Sequence, residues 1–209
     1  MIDCVVFDLD GTLLRSNELK RHGFFVVASN YPGGAVAMEE ILRVCPGDRS
    51  AILSQFSRVF SADAASLVRD YSSWCESQLL YCEEREGASE LLTFLGEMEV
   101  PIYLNSATPT DQLRTFVEKR YAPQVFKGVF GGHGEKENNL RLILSNEAIG
   151  PEKLLMIGDG IDDLGAATAV GCAFVGVDEG TLAARVGHMG LVNNLEDIKH
   201  MWRPTNAFA

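Results

Sequence analysis

Ile2-Asp3-Cys4-Val5-Val6-Phe7-Asp8-Leu9-Asp10-Gly11-Thr12-Leu13 is the stretch whose reading decides the fold. Ile2 to Phe7 is a short apolar run rich in β-branched residues, and it does not alternate with polar ones. A strand of that kind is buried on both faces, which is typical of a parallel sheet. The run stops at Asp8, and Gly11 marks a turn soon after. Two carboxylates, Asp8 and Asp10, are thus placed where a buried strand ends.

Three later runs have the same form. Val100 to Leu104 ends at Asn105 and Ser106, Lys153 to Ile157 at Gly158 and Asp159, and Cys172 to Val177 at Asp178. Helical patterns separate them. Residues 86–98 precede the second run. Residues 109–120 follow it, with Thr108 read as N-cap, Pro109 at the first helical position and Asp111 in the first turn. Residues 136–148 precede the third run and stop at Gly150-Pro151, and residues 161–170 follow it and stop at Gly171. Strand and helix in alternation predict an α/β fold, a Rossmann-like parallel sheet with helices on both faces.

The alternation breaks once. From about residue 16 to 85 the spacing is helical throughout, as in Leu67, Tyr71, Trp74 and Leu79, with breaks at Tyr31-Pro32-Gly33-Gly34 and Cys45-Pro46-Gly47. This predicts a helical insertion of about four helices over 16–85, within a core formed by 1–15 and 86–209. Tyr71 and Trp74 read as core residues of that insertion. Gly128 to Gly134 lacks a strand–GxGxxG–helix context and reads as a loop that includes His133. His22, His188 and His200 have no partner pattern. The last stretch, from about 195, carries Trp202 and Phe208 and could dock on the core.

Composition narrows the function. The 209 residues carry a net charge of −11, which argues against a general nucleic-acid surface. No run is long and apolar enough to span a bilayer. The five cysteines are scattered, with no CxxC pair, which suits a reducing compartment without a disulfide framework. The acidic start lacks the basic segment of a signal peptide, so the expected location is the cytoplasm.

Open α/β sheets bind ligands outside the carboxyl ends of their strands. There the sequence gathers Asp8, Asp10, Ser106, Asp159, Asp162 and Asp163. Such a cluster needs a cation or shifted pKa values, and hard carboxylate oxygens suit magnesium. An EF-hand reading of 159–163 fails, because Ile161 holds the third position and Leu164 the sixth.

Phe7-Asp8-Leu9-Asp10-Gly11-Thr12-Leu13 resembles the first motif of the haloacid dehalogenase superfamily. Ser106, in Leu104-Asn105-Ser106-Ala107-Thr108, resembles the second and Lys136 the third. Gly158-Asp159-Gly160-Ile161-Asp162-Asp163 is similar to the fourth. The resemblance spans residues 2 to about 175. It implies a magnesium-dependent phosphohydrolase acting on a small phosphorylated metabolite. Asp8 would be the nucleophile, Asp10 the general acid and base, and Lys136 the neutraliser of transferring charge. Ser106 would bind a phosphoryl oxygen. The implied metal set is Asp8, Asp10 (through its carbonyl), Asp159 and Asp163, the last orienting the others. Gly11, Thr12, Asn105 and Ala107 would line the phosphate. Aspartate at position 10 points to phosphatase or phosphomutase rather than dehalogenase.

Glu137 follows Lys136 where many relatives have proline, which leaves Lys127 as a second candidate. The insertion resembles the cap of the phosphoglycolate-phosphatase and β-phosphoglucomutase-like branch, and Lys20 and Arg49 are its cations to watch. Arg15 stands where relatives commonly carry aspartate. The competing readings are a β-phosphoglucomutase-type mutase and a non-catalytic metal- or phosphate-binding module.

Overall fold

The structure is a computed structural model that describes residues 2–45, 49–177, 182 and 191–202. The expected break at Pro46-Gly47 lies outside the described residues, as do Asp178, His188 and Phe208. The chain divides into two compact units, Met1–Arg15 with Glu83–Ala209, and Ser16–Cys82.

The second unit is helical: α1 (Asn17–Ala28), α2 (Gly34–Val44), α3 (Arg49–Phe60) and α4 (Ala64–Leu79). Asp63 caps α4 by accepting from the Ala65 and Ser66 N–H groups at 3.3 and 2.9 Å. The period-3.6 positions Leu67, Tyr71, Cys75 and Leu79 are buried. Leu67, Tyr71 and Cys75 meet Phe24 and Val27 of α1, Met38 of α2, and Leu53 and Phe56 of α3. Tyr71 stacks on Phe24 with 4.4 Å between ring centres, and its hydroxyl donates to the Lys20 carbonyl at 3.1 Å. Trp74 packs partly buried beside this cluster.

The first unit carries a six-stranded sheet: β1 (Cys4–Phe7), β2 (Ile102–Ser106), β3 (Gly128–Gly131), β4 (Leu154–Gly158), β5 (Ala173–Val177) and β6 (Leu191–Val192). The order is β3-β2-β1-β4-β5-β6, and every pairing is parallel. Helices α5 (Ala88–Glu97), α6 (Thr110–Arg120), α7 (Lys136–Glu147) and α8 (Ile161–Val170) complete it. Strand periodicity sends Cys4, Val6, Tyr103, Leu154 and Met156 to one face. There they meet Leu140 and Ile143 of α7 and Ala166, Ala167 and Val170 of α8. On β2 packs α5, which also meets a 3₁₀ turn over Leu195–Trp202. Trp202 is buried, and its indole N–H donates to the Ile2 carbonyl at 3.2 Å. No helix among the described residues is long and apolar enough to cross a membrane.

The structure corrects two expectations in this unit. Gly128 to Gly131, read as loop, is the edge strand β3. Its glycines reflect crowding, since a Cβ at Gly131 would overlap the Thr108 carbonyl and the Thr110 backbone. Thr108 is not the N-cap of α6. Pro109 takes that place, and the helix begins at Thr110. Pro109 is extended, at ψ 139°, which sets Thr108 back toward the strand ends.

The chain leaves and rejoins the first unit side by side. The Arg15 N–H donates to the Glu83 carbonyl and the Arg85 N–H to the Leu13 carbonyl, both at 2.9 Å. Leu14 and Glu84 bridge antiparallel between them.

Candidate active site

Register brings the site together. Phe7 lies level with Leu104 on one side and Ile157 on the other. The residues that follow therefore come off the sheet at one end: Asp8 and Asp10 from β1, Asn105 and Ser106 from β2, Gly158 and Asp159 from β4. Gly11 makes the first turn with φ 79°, a conformation that L side chains rarely adopt, and its N–H donates to the Leu14 carbonyl.

Asp8, Asp159 and Asp163 are buried, and each offers a carboxylate oxygen within 4.8 Å of the others. Lys136, the first residue of α7, is buried against them. Its Nζ lies 3.2 Å from Asp8 Oδ1, 2.5 Å from Asp163 Oδ1 and 3.0 Å from Asp162 Oδ2. The second oxygen of Asp163 accepts the Gly160 N–H at 3.0 Å, which closes the start of α8. A Cβ at Gly158 would overlap the Asp163 carboxylate, so only glycine admits that carboxylate here. Thr12 is fully buried and its hydroxyl donates to Asp159 Oδ1 at 3.2 Å.

Three buried carboxylates thus stand together, and one ammonium pairs with two of them, Asp8 and Asp163. Burial pushes the Asp8 carboxyl well above the usual range; Lys136 opposes this, and Asp163, Asp10 and Asp159 add to it. Asp163 is raised to about 6, again by burial first, against the pull of Lys136. Burial works against the Lys136 charge, but Asp8, Asp163 and Asp162 outweigh it and hold the ammonium protonated far above neutrality. A cluster of hard oxygen donors with too little positive charge fits a hard divalent cation such as magnesium.

The second strand end supplies neutral polar groups. Ser106 is buried, and its Oγ accepts the Thr108 N–H at 3.2 Å. The Thr108 hydroxyl faces Asp10 Oδ2 at 3.5 Å. Ala107 is exposed between them.

The sequence-predicted residues separate into groups. Asp8, Asp159, Asp163, Lys136 and Thr12 converge, and Asp162 reaches the lysine from an exposed position. Lys127 lies elsewhere: its Nζ pairs with Glu147 at 2.8 Å, and the Glu147 carboxylate also accepts the Tyr103 hydroxyl. Asn105 turns its amide toward α7, where its Nδ2 donates to the Lys136 carbonyl. Lys20 and Arg49 are half-buried on α1 and α3 of the helical unit. His133 is exposed in the loop before α7.

Sequence reasoning missed two neighbours. Asn139 bonds Asn105 at 2.9 Å; its place three residues after Lys136, on the same helical face, was the available signal. Arg85 is buried, and its guanidinium donates twice to the Gly11 carbonyl, at 3.1 and 2.7 Å. A single arginine in a linker carries no periodic signal.

A family model described as haloacid dehalogenase-like hydrolase matches residues 5–177. The chain belongs to this family. No curated protein sequence matches it. Among solved structures, this haloacid dehalogenase-like hydrolase is similar to a protein from Thermotoga maritima assigned as a β-phosphoglucomutase. The identity is 20% over 96% of this chain and 98% of the other, with a TM-score of 0.78. It is similar to a predicted phosphoglycolate phosphatase from Haemophilus somnus at 17% identity, over 97% and 98% of the two chains, with a TM-score of 0.78. It is also similar to a variant of CbbY from Rhodobacter sphaeroides in complex with xylulose-(1,5)bisphosphate. There the identity is 18% over 95% and 96%, with a TM-score of 0.71. Likeness at these identities establishes the shared fold.

Proposed function

We propose that this hydrolase cleaves small phosphomonoesters through a phosphoryl-aspartate on Asp8. The observation that carries the reading is the Lys136 ammonium, buried between Asp8 and Asp163 beside a third carboxylate at the strand ends. A structural lysine has little reason to be desolvated among carboxylates that also repel one another.

In the first half-reaction an Asp8 oxygen attacks phosphorus. The bond from phosphorus to the ester oxygen breaks, and Asp10 gives its proton to the departing alkoxide. In the second half-reaction Asp10 takes a proton from water, and the water oxygen attacks the same phosphorus. Inorganic phosphate leaves, and the Asp8 carboxylate is restored. Lys136 neutralises the equatorial oxygens, and the Ser106 hydroxyl and loop amides orient them. Magnesium would be held by Asp8, Asp159 and the Asp10 carbonyl, and it would supply further positive charge against the phosphoryl oxygens. Asp163, with both oxygens already engaged, fixes Lys136 and the start of α8. Thr12 holds Asp159 in the rotamer that faces Asp8.

The helical unit would act as a cap that reads the leaving group, with Lys20 and Arg49 as its candidate cations. The substrate class would be a sugar phosphate or a phosphoglycolate-like acid. The five free cysteines suit a reducing cytoplasm.

The test is phosphate release from a panel of phosphomonoesters, with and without magnesium, in wild type and Asp8→Asn. The expected outcome is magnesium-dependent release that falls by at least about 10⁴-fold in Asp8→Asn. Transfer between sugar positions that depends on a bisphosphate primer, with no net release, would replace this reading with a mutase.

A further inference from the structure

We propose that Asn105 is a positioning residue that holds Lys136 in place from beneath, rather than a contact for the phosphate. The proposal rests on the reading of Lys136 given above.

Asn105 is completely buried near the end of β2. Strand alternation puts it on the same face as Tyr103, the face covered by α7. A primary amide in such a place must spend its donors and acceptor on protein groups. Asn105 spends them on one turn of one helix. Its Nδ2 donates to the Lys136 carbonyl at 3.0 Å, and its Oδ1 accepts the Asn139 amide at 2.9 Å. Lys136 and Asn139 are the first and fourth residues of α7, so the two bonds grip both ends of its first turn.

That turn lacks the usual fasteners. Glu135 at the N-cap accepts the Asn138 side-chain amide at 2.9 Å but makes no side-chain bond to the backbone N–H groups of the turn. No proline fixes the backbone at Lys136 or Glu137. Yet the ammonium at the end of the Lys136 side chain must meet Asp8 and Asp163 at 3.2 and 2.5 Å. Small displacements of a charge in such a site are costly to turnover. The strand that presents Ser106 therefore also sets the height of Lys136 through the neighbouring residue. The second and third sequence motifs are joined by a hydrogen bond that no substrate makes.

The experiment is a double-mutant cycle on the full chain. It is read by magnesium-dependent turnover of p-nitrophenyl phosphate and by calorimetric binding of inorganic phosphate. Asn105→Ala should lower kcat by about 10- to 100-fold. Asn139→Ala, at a half-buried helical position where folding is less at risk, should lower it by several-fold. Neither substitution should lower turnover further once Lys136→Ala is present, because both act through that lysine. Losses from Asn105→Ala and Asn139→Ala that repeat in full on the Lys136→Ala background would overturn the positioning role. So would full activity in both single variants. If Lys136→Ala retains wild-type turnover and phosphate affinity, the catalytic reading of Lys136 fails first, and the positioning role falls with it. A wild-type protein that neither turns over the ester nor binds phosphate rejects both.

Discussion

The two units of the chain treat charge in opposite ways. The helical unit buries apolar side chains and aromatic stacks, and among its described residues no charged side chain is buried. Its ion pairs, Arg21 with Glu39, Arg43 with Glu40 and Arg69 with Asp63, lie in solvent. The sheet-bearing unit builds an equally apolar core, then buries Asp8, Asp159, Asp163, Lys136 and Arg85. A fold does not need buried charge to stand, as the helical unit demonstrates. The charges in the other unit cost desolvation that packing does not require. That contrast favours the proposed site independently of any motif.

The contrast can be broken from either side. The largest expected effect is on packing. Phe56→Ala removes a fully buried ring stacked on Phe60 and should destabilise the helical unit by about 3–5 kcal/mol. Magnesium binding by the other unit should persist in the same calorimetry cell; its loss would show that the two are not energetically separable. Next comes Asp159→Asn, which keeps the shape of the side chain and removes its charge. Magnesium affinity should weaken by about 10- to 100-fold, measured by titration calorimetry.

A smaller effect follows from the raised carboxyls. Folding lifts Asp163 from 3.8 to about 6 and lifts Asp8 well above its usual value. Such a group supports the fold fully below its unfolded pKa and loses that contribution as pH rises through its folded pKa. In chelator, Tm should therefore fall by about 5 °C between about pH 4 and about pH 7, and saturating magnesium should flatten the slope. A scan that is flat in chelator contradicts the account of uncompensated carboxylates. The smallest effect belongs to the exposed pairs. Arg21→Ala should stay within about 0.5 kcal/mol of wild type in urea unfolding.

The strands at the centre of the sheet were legible in the sequence because both faces of them are covered. Cys4-Val5-Val6-Phe7 and Leu154-Leu155-Met156-Ile157 leave no polar position to disguise the run. The aspartates after them were legible as an unusual density of charge at strand ends. The edge strand Gly128–Gly131 was not legible, because half-burial and close approach to the Thr108–Thr110 backbone select glycine, the residue that otherwise signals a loop. Among site residues, Lys136 could be placed beside Asp8 only by motif order, since nothing in its local sequence says it is buried. Asn105 was legible as polar at a strand end. Its direction, toward α7, depends on which helix covers that face, and the pattern of one strand does not contain that information.

Arg15 and Glu83 are separated by 67 intervening residues, Ser16–Cys82, yet share a backbone hydrogen bond of 2.9 Å. From the standpoint of the sheet-bearing unit, everything between them is a single tight hairpin connection. The junction is thus a socket. A two-residue turn would close it as well as four helices do, and any folded element whose ends meet a strand's width apart could be grafted there without disturbing β1 or the start of α5.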